Sequence, residues 1–175
     1  MLNAQNITVR YGKHHILHNI DFHAQPGAVT AIVGPNGSGK TTLLKAITGE
    51  VAHGGTVTLN DMDIDAAKAW ELAAIRAVLP QATPLAFPFT VSEVVQLGLS
   101  NGISAARVRL IVAALERVGL SGYGARYYQA LSGGEQQRVQ LARVLTQVWD
   151  PVVDGTARWL FLDEPVSALN IGHQL

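Results

Sequence analysis

The 175-residue sequence holds 13 Lys+Arg against 13 Asp+Glu, is 48% apolar and 15% charged, and contains no cysteine. That length suits one domain with room for an inserted subdomain and a substantial core. The charge balance draws the chain to neither nucleic acid nor an anionic membrane, and the composition excludes a disordered chain, disulfides and thiolate metal sites.

Met1–Asn6 has neither the basic nor the apolar part of a leader, so no signal peptide is expected. No apolar run approaches the roughly 18 residues of a membrane span. A chain with these traits fits a reducing cytosol and is expected to work at a membrane only through a partner.

Asn6–Tyr11 alternates as a half-buried strand. Gly12–His15 reads as a turn, and Ile16–Ala24 as a second alternating strand with Ile16, Ile20 and Phe22 facing the core. Four of the six histidines fall between His14 and His23. Their spacing matches no familiar metal-ligand pattern, so they read as solvated loop and strand-face histidines rather than a metal or haem site. Pro26-Gly27 is a turn.

Val29–Val33 is β-branched and apolar and reads as a buried strand. Gly34-Pro35-Asn36-Gly37-Ser38-Gly39-Lys40-Thr41 follows and fits G-x-x-x-x-G-K-[ST] at every position. Thr42–Thr48 then has helical spacing and stops at Gly49. A strand, a glycine-rich loop and a helix N-terminus are what phosphate binding requires. Glycines let the backbone turn its N–H groups inward, and the helix dipole adds positive potential. Lys40 can reach β and γ phosphates, and the Thr41 hydroxyl can serve Mg²⁺.

Gly54–Leu59 reads as turn then strand, Asn60-Asp61 as a turn, Ala66–Ala74 as helix and Arg76–Pro80 as a short strand followed by Gln81. From Ala82 to about Ala130 the character changes to a helical insert. Thr83–Phe89 is a stiff apolar loop with Pro84 and Pro88. Thr90-Val91-Ser92-Glu93 is a capping box that starts a helix running to about Leu97. Val108, Ile111, Val112, Leu115 and Val118 form an apolar stripe read as core, with Gly119 as C-cap.

Ser132 and Glu135 make a second capping box around Gly133 and Gly134. Taken alone, Leu131–Glu135 is either a well-capped helix start or a bare N-terminus that meets a phosphate. Val139, Ala142, Leu145 and Val148 give the helix a buried face. Trp149–Ala157 is a mixed, turn-rich loop. Arg158–Pro165 reads as a buried parallel strand that delivers Asp163 and Glu164 to the sheet edge, where open α/β folds bind ligands. Asp163 suits Mg²⁺ through water, and Glu164 suits a general base for the attacking water. No internal repeat or low-complexity tract is present. The alternation of strands and helices points to an α/β core.

Together these stretches resemble the nucleotide-binding subunit of an ABC transporter, over nearly the whole chain from Tyr11 onward. Gly34–Thr41 is similar to the family's Walker A, Gln81 to its Q-loop, Leu131–Glu135 to its signature motif and Trp159–Glu164 to its Walker B strand. Ser167–Asn170 stand at the D-loop. Walker A with the signature is far more specific than either alone. The run Leu79–Val91, the loop before Trp159 and the strand through Pro165 look like haemin importers.

The resemblance implies a P-loop NTPase core with an N-terminal antiparallel β portion and an inserted helical subdomain. The core would comprise 1–81 and 131–175, and the helical subdomain 82–130. It implies ATP and Mg²⁺ as cofactors. Tyr11, Gly34, Pro35, Asn36, Gly37, Ser38, Gly39, Lys40, Thr41, Thr42, Ser132, Gly133 and Gly134 would bind nucleotide. Tyr11 would stack on adenine. Thr41, Gln81 and Asp163 would serve the metal, with Glu164 and Gln81 catalytic.

It also implies a head-to-tail homodimer on an integral-membrane permease, peripheral to the cytoplasmic face of the inner membrane. A substrate-binding protein would act indirectly, and nucleic acid would not be a partner. The activity implied is ATP hydrolysis coupled to haemin import, the alternatives being iron-siderophore or cobalamin cargo, or a truncated nucleotide-binding module with little turnover. An ATPase acting on DNA or ribosomes would carry a coiled-coil insert or a tandem domain, which this sequence lacks. Asn170 stands where the D-loop usually has Asp, and His173 is too close to Glu164 to be the family's switch histidine. A fragment or truncated product with weakened hydrolysis is therefore expected.

Overall fold

The computed structural model describes residues 1–81, 87–99 and 105–164, with side chains of 105–107 left aside. The fold is α/β, and the chain divides into two compact units, Met1–Ile75 with Asp150–Phe161, and Arg76–Trp149 with the residues from Leu162.

In the first unit β1 (Leu2–Tyr11) pairs antiparallel with β2 (His14–Ala24) on one side and β3 (Gly54–Leu59) on the other. The hairpin partner β4 (Met62–Asp63) extends the sheet, in the order β2-β1-β3-β4. The inward face of β1 changes phase partway along. Leu2 and Ala4 are buried, then Ile7 and Val9. A strand alternates with period two, so this change needs one extra residue, a bulge. It falls at Gln5–Asn6, where Asn6 takes φ 55 and donates its N–H to Asp21 Oδ1 at 2.7 Å. Gly55 crosses the bulge at φ +87, and a Cβ there would lie 2.2 Å from the Gln5 carbonyl oxygen. Only glycine fits that approach.

The same irregularity corrects the expected face of β2. Leu17 and Ala24 are buried, whereas Ile16, Ile20 and Phe22 are half-buried. Register shifts against β1 and the positive φ of Asn19 turn Leu17 inward. The turn is also shorter than Gly12–His15, because His14 and His15 already pair in β2 with Tyr11 and Arg10.

Val29–Val33, expected as a buried strand, forms no strand, and Val29 and Val33 stand exposed. Strand propensity describes fit to a paired, half-buried surface and does not suffice without a ladder partner. Helix α1 (Lys40–Ile47) buries Leu43, Ala46 and Ile47. Its end is set by Gly49 at φ 67, whose N–H bonds the Ala46 carbonyl. Asn60 and Asp61 both have positive φ, as a two-residue hairpin turn requires. Helix α2 (Ala69–Ile75) begins three residues later than its sequence pattern, where Glu71 accepts the Lys68 N–H.

Residues 149–157, read as a loop, contain a small hairpin of β6 (Val152–Val153) and β7 (Thr156–Ala157). Asp154-Gly155 turns it with φ 49 and 75, a dipeptide whose turn signal the sequence carried. Strand β8 (Trp159–Leu162) follows. It is less enclosed than a central parallel strand, since Phe161 is buried and Leu160 exposed.

The second unit is built on β5 (Arg76–Leu79), α3 (Val91–Gln96), α4 (Ala105–Arg117) and α5 (Gly133–Gln147). Thr90 caps α3 with both capping-box bonds present. Val91, Val94 and Val95 are fully enclosed. The buried face of α4 is Ile111, Ala114, Leu115 and Val118. Val108 and Val112, expected on that face, lie on its flank and are half exposed, because the face centres on the small Ala114. Gly119 ends α4 at φ 70, as expected. On α5, Val139 and Ala142 are buried with Leu141 and Val144, while Leu145 and Val148 are partly buried against the same cluster.

Gly98, just past the end of α3, lies tight against α5. A Cβ on Gly98 would sit 2.0 Å from the Arg143 carbonyl oxygen and 2.4 Å from Thr146 Oγ1. Thr146 also reaches the Val95 carbonyl at 3.3 Å. Gly98→Ala is expected to destabilise the chain by about 1–3 kcal/mol through overpacking. Gly133→Ala, where a Cβ meets nothing within 4 Å, should be near neutral. Urea denaturation midpoints of the two variants check this.

Candidate functional site

The phosphate-loop motif begins where the chain leaves the 29–33 segment and ends on α1. Gly37 and Gly39 both take left-handed conformations, φ 79 and 89. Gly39 is the N-cap residue, so the first turn of α1 opens directly from the loop. The N–H groups of that turn have no intrahelical acceptor and carry the positive end of the helix dipole. Lys40 folds back over the loop, donating from Nζ to the Gly34 carbonyl at 3.0 Å and the Pro35 carbonyl at 2.8 Å. Gly34 faces Ser38, and a Cβ there would come 2.9 Å from Ser38 Oγ. Pro35 and Asn36 stand exposed, and Thr41 and Thr42 continue into the partly buried first turn. Tyr11 ends β1 with its side chain half exposed, a ring free of burial in the core.

In the second unit, three residues predicted from sequence come together. Asp163 donates its backbone N–H to the Leu79 carbonyl at 3.0 Å, and its side chain is buried. Two residues beyond Leu79, Gln81 donates from Nε2 to Glu164 Oε2 at 2.7 Å. Gln81 and Glu164 are 83 positions apart, so only the topology brings them together. No sequence signal marks their bond.

Ser132 caps α5. Its hydroxyl and its N–H both bond Glu135 Oε2, at 2.7 and 2.8 Å, and the Glu135 N–H returns to Ser132 Oγ at 3.4 Å. Gln136 ties the preceding turn with a bond from Nε2 to the Leu131 carbonyl at 3.1 Å. Apart from the adjoining backbone, a Cβ placed on Gly133 or Gly134 meets no described atom within 4 Å. The start of α5 therefore presents two uncovered glycines beside an ordered cap. The hydroxyl of Ser132, then its backbone N–H, holds the Glu135 carboxyl below the usual glutamate value.

His14, His15, His18 and His23 are all exposed, and the rings of His15 and His18 stack with centroids 5.4 Å apart. Ser167, Asn170 and His173 lie outside the described residues, as does most of the Ala82–Phe89 loop. No helix among the described residues is long and apolar enough to cross a membrane.

The ABC transporter family model matches residues 17–167. The chain belongs to the ABC transporter family. The matched span holds the phosphate loop, Gln81, the Ser132 cap, Asp163 and Glu164. Among curated relatives, the hemin import ATP-binding protein HmuV of Jannaschia sp. (strain CCS1) is 65% identical over 175 residues, covering all of this chain and 65% of that protein. The protein of the same name from Roseobacter denitrificans is 62% identical over 174 residues, covering 99% of this chain and 67% of its own length. The chain thus spans about two thirds of the length of these relatives.

Solved ABC structures share the fold. A bacterial Atm1-family ABC exporter with ATP bound matches with TM-score 0.80 and 27% identity, over 97% of this chain and 30% of that one. A dimeric bacterial ABC transporter cassette matches with TM-score 0.77 and 25% identity, over 98% of this chain and 77% of that one.

The depressed Glu135 carboxyl has a consequence for acid stability. Its ionised cap is fully stabilising above the usual glutamate value of 4.5 and is lost as pH falls through the lower folded value. Glutamine keeps the capping-box bond without titrating. Glu135→Gln should therefore lose less stability than the native chain between about pH 7 and about pH 3, as denaturant midpoints across that range will show.

Proposed function

We propose that this chain is the ATP-hydrolysing part of an ABC importer subunit, with haemin as the imported cargo. The observation that carries the activity is the acid pair Asp163–Glu164 joined to Gln81, in a chain that also opens a helix from a lysine-bearing phosphate loop. The cargo is supported by the relatives, whose printed name is hemin import ATP-binding protein and which are 52 to 65% identical over essentially the whole chain.

In this reading the amides of the Gly37–Thr41 turn and the Lys40 ammonium bind the β and γ phosphates. To do so, Lys40 exchanges the Gly34 and Pro35 carbonyls for phosphate oxygens. Tyr11 offers its exposed ring to the adenine. Thr41 in the first unit carries a hydroxyl oxygen, and Gln81 and Asp163 in the second carry amide and carboxylate oxygens, each a donor type that Mg²⁺ takes. Mg²⁺ held by such donors would supply neutralisation of charge on the phosphates. Glu164 accepts a proton from the attacking water as the water oxygen bonds the γ-phosphorus and the bond to the ADP oxygen breaks.

Ser132, Gly133 and Gly134 face the nucleotide of a second copy packed head to tail, which their uncovered position on α5 suits. In this reading the ATP-binding core is 1–81 and 131–175, and the helical part that meets the permease is 82–130. The exposed Phe87, packed edge-on against Phe89 and followed by the capped α3, suits an apolar docking surface. The subunit sits on the cytoplasmic face of the inner membrane, held by its permease, and cargo reaches the permease from a substrate-binding protein.

Lys40→Ala should abolish ATP binding, because its ammonium is the main side-chain charge facing the phosphates. Equilibrium titration with a fluorescent ATP analogue checks this, and unchanged affinity would overturn the phosphate-loop assignment. The whole subunit with its permease in vesicles should show ATPase activity stimulated by a haem-loaded binding protein. Stimulation by an iron-siderophore or cobalamin carrier instead would keep the ABC ATPase reading and remove haemin as cargo.

A further inference from the structure

We propose that Gln81 is a positioning residue for Glu164, acting through the nitrogen end of its amide, separately from any metal ligation by the oxygen end. This rests on reading Glu164 as the base of an ATP-hydrolysing subunit. Two observations carry it. The first is the bond from Gln81 Nε2 to Glu164 Oε2 at 2.7 Å. The second is the backbone of Glu164, at φ 48.

Among the described residues, the other non-glycine positions with positive φ are Asn6, Asn19, Asn60, Asp61 and Asp154. Asparagine and aspartate visit that region with help from a short polar side chain. Glutamate has no such help, so its conformation persists only where its surroundings hold it. Here the hold is on both sides. The preceding residue is fixed by the Asp163 N–H on the Leu79 carbonyl. The side chain is fixed by Gln81.

The geometry divides the labour of both groups. Gln81 spends a donor on Oε2, which fixes the carboxylate's orientation and leaves Oε1 without a bond from Gln81. The amide oxygen is the only end of Gln81 able to ligate a cation. One side chain can therefore face the metal with one atom and aim the base with another. A base must lie within hydrogen-bond reach of its proton, and orientation lost at this range lowers rate rather than affinity.

The test is a double-mutant cycle in the whole protein, with ATP binding measured separately. Gln81→Ala and Gln81→Glu are each made in the native and Glu164→Ala backgrounds, and turnover is followed against ATP and Mg²⁺. Gln81→Ala should lower kcat about 10- to 100-fold while KM for ATP stays within about twofold. In the Glu164→Ala background the further fall should be several-fold smaller, leaving only what loss of the amide oxygen from the metal costs. Gln81→Glu should lower kcat at least as far as alanine, because a second carboxylate faces Glu164.

An equal fall in both backgrounds overturns the proposal, as does a Gln81→Glu variant that keeps turnover with a reduced Mg²⁺ requirement. Either leaves Gln81 a metal ligand only, with the ATPase reading intact. A native protein that binds no ATP, or binds it without turnover, overturns the ATPase reading and this proposal together.

Discussion

The Asp163 N–H on the Leu79 carbonyl sets the arrangement of the acid end of the second unit. A buried backbone donor needs an acceptor, and meeting that need fixes the register between the chain beyond β5 and the end of β8. Counting outward from the bond, Gln81 lies two residues past one partner and Glu164 one residue past the other. Their side chains meet at 2.7 Å. The core behind them, Leu79, Leu131, Val139 and Ala142 with Leu162 against it, keeps the bond in place. The placement of the acid pair is thus inherited from a main-chain bond that any residue but proline could donate. Only the side chains placed around it are specialised.

The two helix starts to which the proposed function gives nucleotide contacts are built differently. Gly39 opens α1 without a side-chain cap, in a conformation left-handed enough that the loop can fold over the first turn. Ser132 opens α5 with a complete capping box. The first leaves its amides to whatever anion the loop encloses. The second is ordered before any ligand arrives, since Glu135 already satisfies the cap. A preformed surface of that kind suits contact with a rigid partner, where ordering on binding would weaken affinity.

Much of this was legible in the sequence. Capping boxes at Thr90 and Ser132, the Asn60-Asp61 turn and the glycine stops after α1 and α4 each rest on local chemistry, and local chemistry is written in adjacent residues. The phosphate loop, the acid pair and the Gly133-Gly134 start were found the same way. The misses share another origin. Val29–Val33 has the composition of a strand, yet pairing is decided by distant partners. Ile16, Ile20 and Phe22 were assigned by a strict period of two, which the bulges at Asn6 and Asn19 interrupt. Val108 and Val112 were assigned by apolarity, whereas α4 packs on the small Ala114. The Gln81–Glu164 bond had no local mark, because it depends on a register set elsewhere.

Asn60 shows what such distant contacts mean for the life of the chain. From the turn after β3 its side chain donates to the Ala157 carbonyl at 2.7 Å and accepts from the Trp159 indole at 3.0 Å, contacts separated by 97 and 99 positions. Closing so long a loop is entropically slow, and contacts of this separation form late. During synthesis, β1 to β4 leave the ribosome well before Ala157 and Trp159 exist. The N-terminal sheet must therefore wait with that turn unlatched until β8 is made, which exposes the nascent chain to chaperones and proteases for the time needed to translate roughly a hundred residues.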